Sequence, residues 1–366
     1  MTVYNFCAGP ATLPKDVMKK AQAEFLNWQE TGCSVIEMSH RSSEFIAVYQ
    51  SAVSSLKQLL NVPDNYSILF MQGGGRGQFA AVPMNLTLGN IGSYCTTGAW
   101  SADAVDEANK FIETKEIQCT IVENGLKKVK PMSDWIIPSK SDFLHYCPNE
   151  TVDGIEIFES PKALKANGSQ VIVADMSSNI LSRRINIEDY DLIYAGAQKN
   201  IGPSGMGIVI INNALLKRSP SNIPSLLNYK VTAEKESMFN TPPTFAIYLS
   251  KLVFDWLQSQ GGVDKIEVEN NKKAELLYKT IDNSSLYESR VHAENRSKMN
   301  VTFYLTNESL NETFLEEAKA NGLVALKGHR SVGGMRASIY NAMPYEGVQA
   351  LSEFMQAFET KYHAVG

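Results

Sequence analysis

The stretch that decides the fold is Tyr194-Ala195-Gly196-Ala197-Gln198-Lys199-Asn200-Ile201-Gly202-Pro203. The apolar run over 191–195 has the length and composition of a buried strand. A lysine follows it at once, and then a loop rich in glycine and proline. Lysine is ordinarily solvated, because taking its ammonium out of water is costly. A lysine closing a core strand therefore has one of two explanations. It is an ion-paired or snorkelling side chain, or it is an amine whose lowered pKa frees it to form a Schiff base with an aldehyde. The decapeptide alone leaves both open.

Outward from it, short apolar runs recur at 66–71, 91–96, 143–147, 170–175 and 207–211. They alternate with helix-like segments, two of which are periodic over 15–30 and 44–60. Strands apolar on both faces and separated by helices predict a mainly parallel sheet covered on both sides. The pattern changes after Met238. Pro242 and Pro243 precede a helix over 244–260, Gly261-Gly262 breaks it, and a second helix runs over 263–281. Strands over 300–305, 323–326 and 335–339 then mix with helices over 312–321 and 345–362. The expectation is an α/β fold with a large domain over 16–261. A smaller α+β domain is formed by 262–366 together with 1–15.

Composition narrows the function. At 44% hydrophobic and 20% charged, the chain has the balance of an ordinary globular protein. A net charge of -5 excludes a general basic field for nucleic acid, so any cationic cluster is a local site. No apolar run approaches the ~20 residues that span a bilayer. The first residues lack the apolar core of a signal peptide. Cys7, Cys33, Cys95, Cys119 and Cys147 are odd in number and scattered, as expected of reduced thiols in a cytoplasmic protein.

Several constellations could carry chemistry. Gly73-Gly74-Gly75-Arg76-Gly77 lies between a strand and a segment that looks helical from Gln78 onward. Glycines let backbone N–H groups converge on an anion at a helix start. The loop is neither a Walker loop nor a dinucleotide fingerprint, and a plain tight turn would also explain it. Asp175 ends a buried strand, at the edge where α/β sheets bind ligands. There it could hold a pyridinium nitrogen in its charged form, or simply cap a turn. Trp100 could stack on a planar ring or belong to the core. Thr151 could hydrogen-bond a phenolic oxygen, and Gln198 a phosphate. His40-Arg41 and His329-Arg330 are two His–Arg pairs in a chain with five histidines. With Arg76 and Arg336 they suggest a site for a substrate bearing several negative charges, although each pair read singly is a solvated loop.

These residues sit in longer blocks: FCAGPATLP (6–14), SHRSSEF (39–45), MQGGGRGQFAAVP (71–83), HYCPNETVDG (145–154), YAGAQKNIGPSG (194–205), MFNTPPTFAIY (238–248) and KGHRSVGGMRASIYNAMP (327–344). Through them the chain resembles, nearly end to end, the class V aminotransferases. These are pyridoxal-phosphate enzymes of fold type I, and the likeness is to the branch that makes O-phospho-L-serine. The resemblance implies one pyridoxal 5'-phosphate per subunit, bound to Lys199 as a Schiff base. Asp175 would pair with the ring nitrogen, Trp100 stack on the ring, and Thr151 bind the 3'-oxygen. Gly75, Arg76 and Gln198 would hold the phosphate, joined by Asn240 and Thr241 across a homodimer with shared active sites. Arg336 would take the substrate α-carboxylate. His40, Arg41, Arg76, His329 and Arg330 would receive the second anion. The implied reaction moves the amino group of L-glutamate to 3-phosphohydroxypyruvate, giving O-phospho-L-serine and 2-oxoglutarate. Phosphohydroxythreonine is a further substrate in some members. One departure stands at Cys7-Ala8-Gly9-Pro10, where the family often has Ser-Ser-Gly-Pro; a hydroxyl from that segment is missing here. The rivals are a cysteine desulfurase, an alanine–glyoxylate transaminase, and a non-catalytic anion-binding protein. A desulfurase needs a cysteine on a mobile loop, and no cysteine follows Cys147.

Overall fold

A computed structural model describes residues 2–89, 91–166 and 171–363. Gln170, expected at the start of a strand, lies outside them. Seven strands form the central sheet: β1 (Tyr66–Gln72), β2 (Ile91–Thr96), β3 (Glu113–Gln118), β4 (Leu144–Tyr146), β5 (Ile172–Asp175), β6 (Leu192–Gly196) and β7 (Met206–Asn212). Their order across the sheet is β3-β2-β4-β5-β6-β7-β1. All run parallel except β7, which is antiparallel to both β6 and β1. The mainly parallel sheet read from the apolar runs is therefore present. β3 adds a strand to those read from the apolar runs: its sequence, ETKEIQ, is polar and mostly exposed, which its place at an edge of the sheet permits.

The alternation of side chains along β1 shows why both faces are covered. Ile68 and Phe70 join one apolar cluster, with Leu56, Ile193 and Phe254. Leu69 and Met71 join another, with Phe79, Tyr94 and Tyr194. The helices Ser43–Leu60 and Thr244–Ser259 supply residues to the first cluster, and Gly74–Leu86 and Ala99–Ala108 to the second. A third cluster gathers Phe6, Leu277, Phe303, Phe314 and Phe358 around the antiparallel strands Tyr287–Glu288, Asn300–Leu305 and Met335–Ser338. The strand Tyr4–Asn5 pairs in parallel with Leu323–Val324. Among the described residues no helix is long and apolar enough to cross a membrane.

Two expected elements are shorter than their sequence pattern. The helix expected over 15–30 is Lys15–Ala23, followed by a separate 3-10 turn at Trp28–Glu30. It buries Val17 and Ala21, but the next turn offers no buried apolar residue: Leu26 is 81% exposed. Without a packed face the helix has nothing to sustain it. The strand expected over 323–326 stops at Val324, because Ala325 adopts φ +63°.

The structure buries a second lysine as deeply as the first. Lys273, on the helix Gly262–Asp282, is 2% exposed. Its Nζ donates to the carbonyls of Ile339, Tyr340 and Met343 at 3.1, 2.8 and 3.0 Å. Burial pulls it down to about 7, while three carbonyls occupy all three donors. This is the structural kind of buried lysine. Lys273→Met should destabilise the fold by about 2–4 kcal/mol, because it strands three buried carbonyls. Chemical denaturation checks this, and an unchanged midpoint would remove the role.

Candidate active site

β5 and β6 lie side by side, with Asp175 in register with Tyr194. The turn that follows β6 carries Lys199. Two adjacent parallel strands thus deliver an acid and an amine to the same edge of the sheet. The third component comes from the helix Gly74–Leu86, which starts four residues earlier than the helical pattern suggested. Gly73 and Gly74 take φ +93° and +60°, so the chain leaves β1 abruptly and the glycines form the first helical turn. Gly75 then packs against the end of β6. A Cβ there would stand 3.1 Å from Ser177 Oγ and 3.7 Å from Gly196 N. The first N–H groups of this helix have no intrahelical acceptor and point outward.

These elements enclose a cavity of about 260 Å³ lined by Gly75, Arg76, Trp100, Thr151, Asp175, Gln198 and Lys199. Lys199 is 8% exposed, and its Nζ donates to Thr151 Oγ1 at 2.6 Å. The same nitrogen lies 5.6 Å from the centre of the Trp100 ring. Burial lowers its pKa below the ordinary lysine value, against the opposing pull of Asp175. The contrast with Lys273 is direct: Lys199 meets a hydroxyl and a cavity, not a cage of carbonyls. Burial raises the pKa of Asp175, partly offset by the N–H and the hydroxyl of Ser177, which donate to it at 2.9 and 2.5 Å. Ser177 Oγ also accepts the N–H of Gly196 at 2.9 Å, tying the acid to the lysine strand.

Arg76 reaches over the Trp100 ring, 5.2 Å from its centre, and pairs with Asp103 at 2.6 Å. Trp100 Nε1 is buried with no hydrogen-bond partner among the described residues. Arg336, on Met335–Ser338, donates to the carbonyl of Thr151 at 3.4 Å and so stands beside the cavity. Burial lowers its pKa. The remaining residues singled out from sequence do not line this cavity. His40 and Arg41 precede the helix Ser43–Leu60. His329 forms a turn with Ser331, Nδ1 to Oγ at 2.7 Å, beside exposed Arg330. Asn240 and Thr241 are exposed, with the Thr241 carbonyl accepting from Gln72 Nε2 at 3.1 Å.

Sequence reasoning passed over Ser177 and Glu150. Ser177 was findable, since Asp-x-Ser after a strand is a local turn pattern. Glu150 was not, because its partners lie about fifty residues away.

The donor set fits a planar, phosphorylated pyridine aldehyde. A buried acid suits a protonated ring nitrogen, and a buried amine suits an aldehyde. Thr151 offers a hydroxyl for a phenolic oxygen, and the glycine helix start suits a phosphate.

The comparisons with known proteins agree with that fit. A family profile described as Aminotransferase class-V matches residues 3–351. The phosphoserine aminotransferase of Pseudoalteromonas translucida (strain TAC 125) is 55% identical, over 98% of this chain and 99% of its own. The solved phosphoserine aminotransferase of Bacillus circulans subsp. alkalophilus superposes with a TM-score of 0.92 at 41% identity, covering 98% of this chain and 99% of its own. The PLP-bound enzyme of Trichomonas vaginalis gives 0.90 at 36%, covering 97% and 99%. With a cavity of this chemistry and a likeness that spans the whole chain, the protein belongs to the phosphoserine aminotransferase branch of the class V aminotransferases.

Proposed function

We propose that this chain transfers the amino group of L-glutamate to 3-phosphohydroxypyruvate, forming O-phospho-L-serine and 2-oxoglutarate in serine biosynthesis, with pyridoxal 5'-phosphate held in the cavity. The observation that carries this reading is the delivery of Lys199 and Asp175 by adjacent strands to one cavity floored by a glycine helix start. The substrate side rests on the activity for which the full-length relatives are named.

Pyridoxal phosphate supplies an electron sink for the pair of electrons left when the substrate loses its α-proton. The chain supplies the rest. Lys199 would hold the cofactor's aldehyde carbon and, once released from it, would move the proton at the substrate α-carbon. Its depressed pKa favours the neutral amine that both tasks need. Asp175 keeps a proton on the ring nitrogen, and Ser177 keeps Asp175 aimed. Trp100 forms one wall against the ring, and Thr151 binds the 3'-oxygen. Gly75, Arg76 and Gln198 hold the phosphate, together with Asn240 and Thr241 of the partner subunit in a homodimer. Arg336 binds the α-carboxylate of the substrate. Arg76 receives its phosphate or second carboxylate together with His40, Arg41, His329 and Arg330, some of them contributed across the dimer interface.

The division into a unit of 16–261 and a smaller one of 1–15 with 262–366 belongs to this reading. It is supported by Phe6 packing with Leu277, Phe303 and Phe358. A cytoplasmic location belongs to it as well, supported by five free thiols. The desulfurase reading is disfavoured by Cys147. Its thiol is 3% exposed, bonded to the carbonyl of Asn149, and pushed well up by burial.

The test is the visible absorbance of the cofactor-loaded protein during titration with amino donors. O-phospho-L-serine should bleach the band at a concentration roughly 10²-fold or more below that of L-serine, since each lost charged hydrogen bond costs ~1.5–3 kcal/mol. Equal titrations would remove the phosphate-specific pocket. Failure of the purified protein to develop any visible band with pyridoxal phosphate would remove the cofactor assignment.

A further inference from the structure

A second buried carboxylate stands behind the cavity and has no part in the roles assigned above. Glu150 is fully buried, one residue before Thr151. Its Oε1 accepts the N–H and the hydroxyl of Ser101 at 2.9 and 2.6 Å, and its Oε2 accepts the N–H of Trp100 at 2.9 Å. Asp153, three residues on, accepts the N–H of Ala99 at 2.9 Å and pairs with Lys127 at 2.9 Å. The first three N–H groups of the helix Ala99–Ala108 therefore all go to side chains of the one loop that also carries Thr151. The backbone is shaped to admit them. A Cβ on Gly98 would overlap Asp153 Oδ2 and stand 2.7 Å from Glu150 Cδ.

Capping alone does not account for this. A single exposed polar cap stabilises a helix by about 1 kcal/mol, whereas burying a carboxylate costs several. Burial and the neighbouring Asp153 push Glu150 up to about 7. What a buried, triply bonded carboxylate supplies is position. Trp100 is a wall of the cavity, and Thr151 is the hydroxyl that Lys199 meets. Glu150 is covalently next to one and hydrogen-bonded to the other, so it fixes the gap between them.

We propose that Glu150 is a positioning residue that sets the spacing between the Trp100 ring and the Thr151–Lys199 pair, and thereby the affinity and alignment of the ring-bearing cofactor. The proposal rests on the reading of the cavity as a pyridoxal-phosphate site. The test compares the parent protein with Glu150→Gln and Glu150→Asp. The readouts are the thermal midpoint and the amide hydrogen exchange of 99–108 without cofactor, the dissociation constant for pyridoxal phosphate from indole fluorescence, and kcat and KM at saturating cofactor. Glu150→Gln should speed exchange at Trp100 and Ser101 and raise the dissociation constant by ~10-fold or more, the equivalent of one charged hydrogen bond. kcat should fall while KM for O-phospho-L-serine stays within about twofold, because the cations that bind substrate anions are untouched. Glu150→Asp keeps the charge but withdraws it by one methylene, and should fall between. Parent-like affinity and kcat in a folded variant overturn the proposal, whatever happens to the midpoint, since Glu150 would then serve stability alone. If Glu150→Gln does not fold, Glu150→Asp decides by the same readouts. A parent protein that binds no pyridoxal phosphate overturns the cavity assignment instead.

Discussion

Lys199→Ala lowers transamination by on the order of 10²–10⁴-fold or more, the scale of removing a positioned proton-transfer group, and leaves the fold intact. The two halves of this expectation have different physical sources. Activity is lost because no other lysine among the described residues lines the cavity: Lys273, the other buried lysine described, is committed to three carbonyls. The fold survives because Lys199 contributes little to it. Its amine has a single hydrogen bond, to Thr151, and its burial is unfavourable to the charged form. Truncation enlarges a cavity that already exists, so the thermal midpoint should stay near that of the parent. The checks are formation of O-phospho-L-serine in a coupled assay and a thermal melt of the same preparation. Near-parent turnover would sink the assignment of Lys199. Loss of turnover together with unfolding would show that the lysine belongs to the fold.

Asp175→Asn is expected to reduce kcat by roughly 10²–10³-fold, the range seen when a fixed electrostatic partner of the reacting system is removed. An amide cannot hold the proton on the ring nitrogen as a carboxylate does. Stability should move the other way. Burial raises the pKa of Asp175 in the folded chain. Above that value the ionised acid therefore costs stability, and below the unfolded value of ~3.9 the cost is gone. At neutral pH the neutral asparagine avoids that cost and can still accept from Ser177. Without cofactor, the variant should melt at or slightly above the parent midpoint. A large loss of stability with activity preserved would reverse the roles assigned to this residue. The two substitutions share one logic: groups held for chemistry are the ones the fold would rather lose.

Much of this was legible from residue order. β5 and β6 are apolar on both faces because they lie in the middle of the sheet, and such strands announce themselves. A charge at the end of such a run has few bland explanations, which is why Asp175 and Lys199 stood out. The antiparallel direction of β7 was not legible, since an apolar run reads alike in both directions. β3 was missed because an edge strand need not be apolar. The His–Arg pairs illustrate another limit. Their composition suggested an anion site, but they do not line the cavity, and nothing in their local sequence says where the fold will place them. Glu150 shows the last limit. A glutamate in the middle of Asn-Glu-Thr carries no local sign that it will cap a helix fifty residues upstream.

The reversed strand β7 has a consequence for how the molecule comes into being. β1 leads into the glycine cradle, yet among the described residues its one neighbour in the sheet is β7. A chain emerging from the ribosome therefore makes the glycine turn early and then carries it with both strand edges unpaired. It stays so until Met206–Asn212 is synthesised and folds back. Only then do the two ends of the cofactor site close on each other. In biosynthetic order the cradle is written well before it is enclosed, and its apolar strand stays open to wrong partners in the interval.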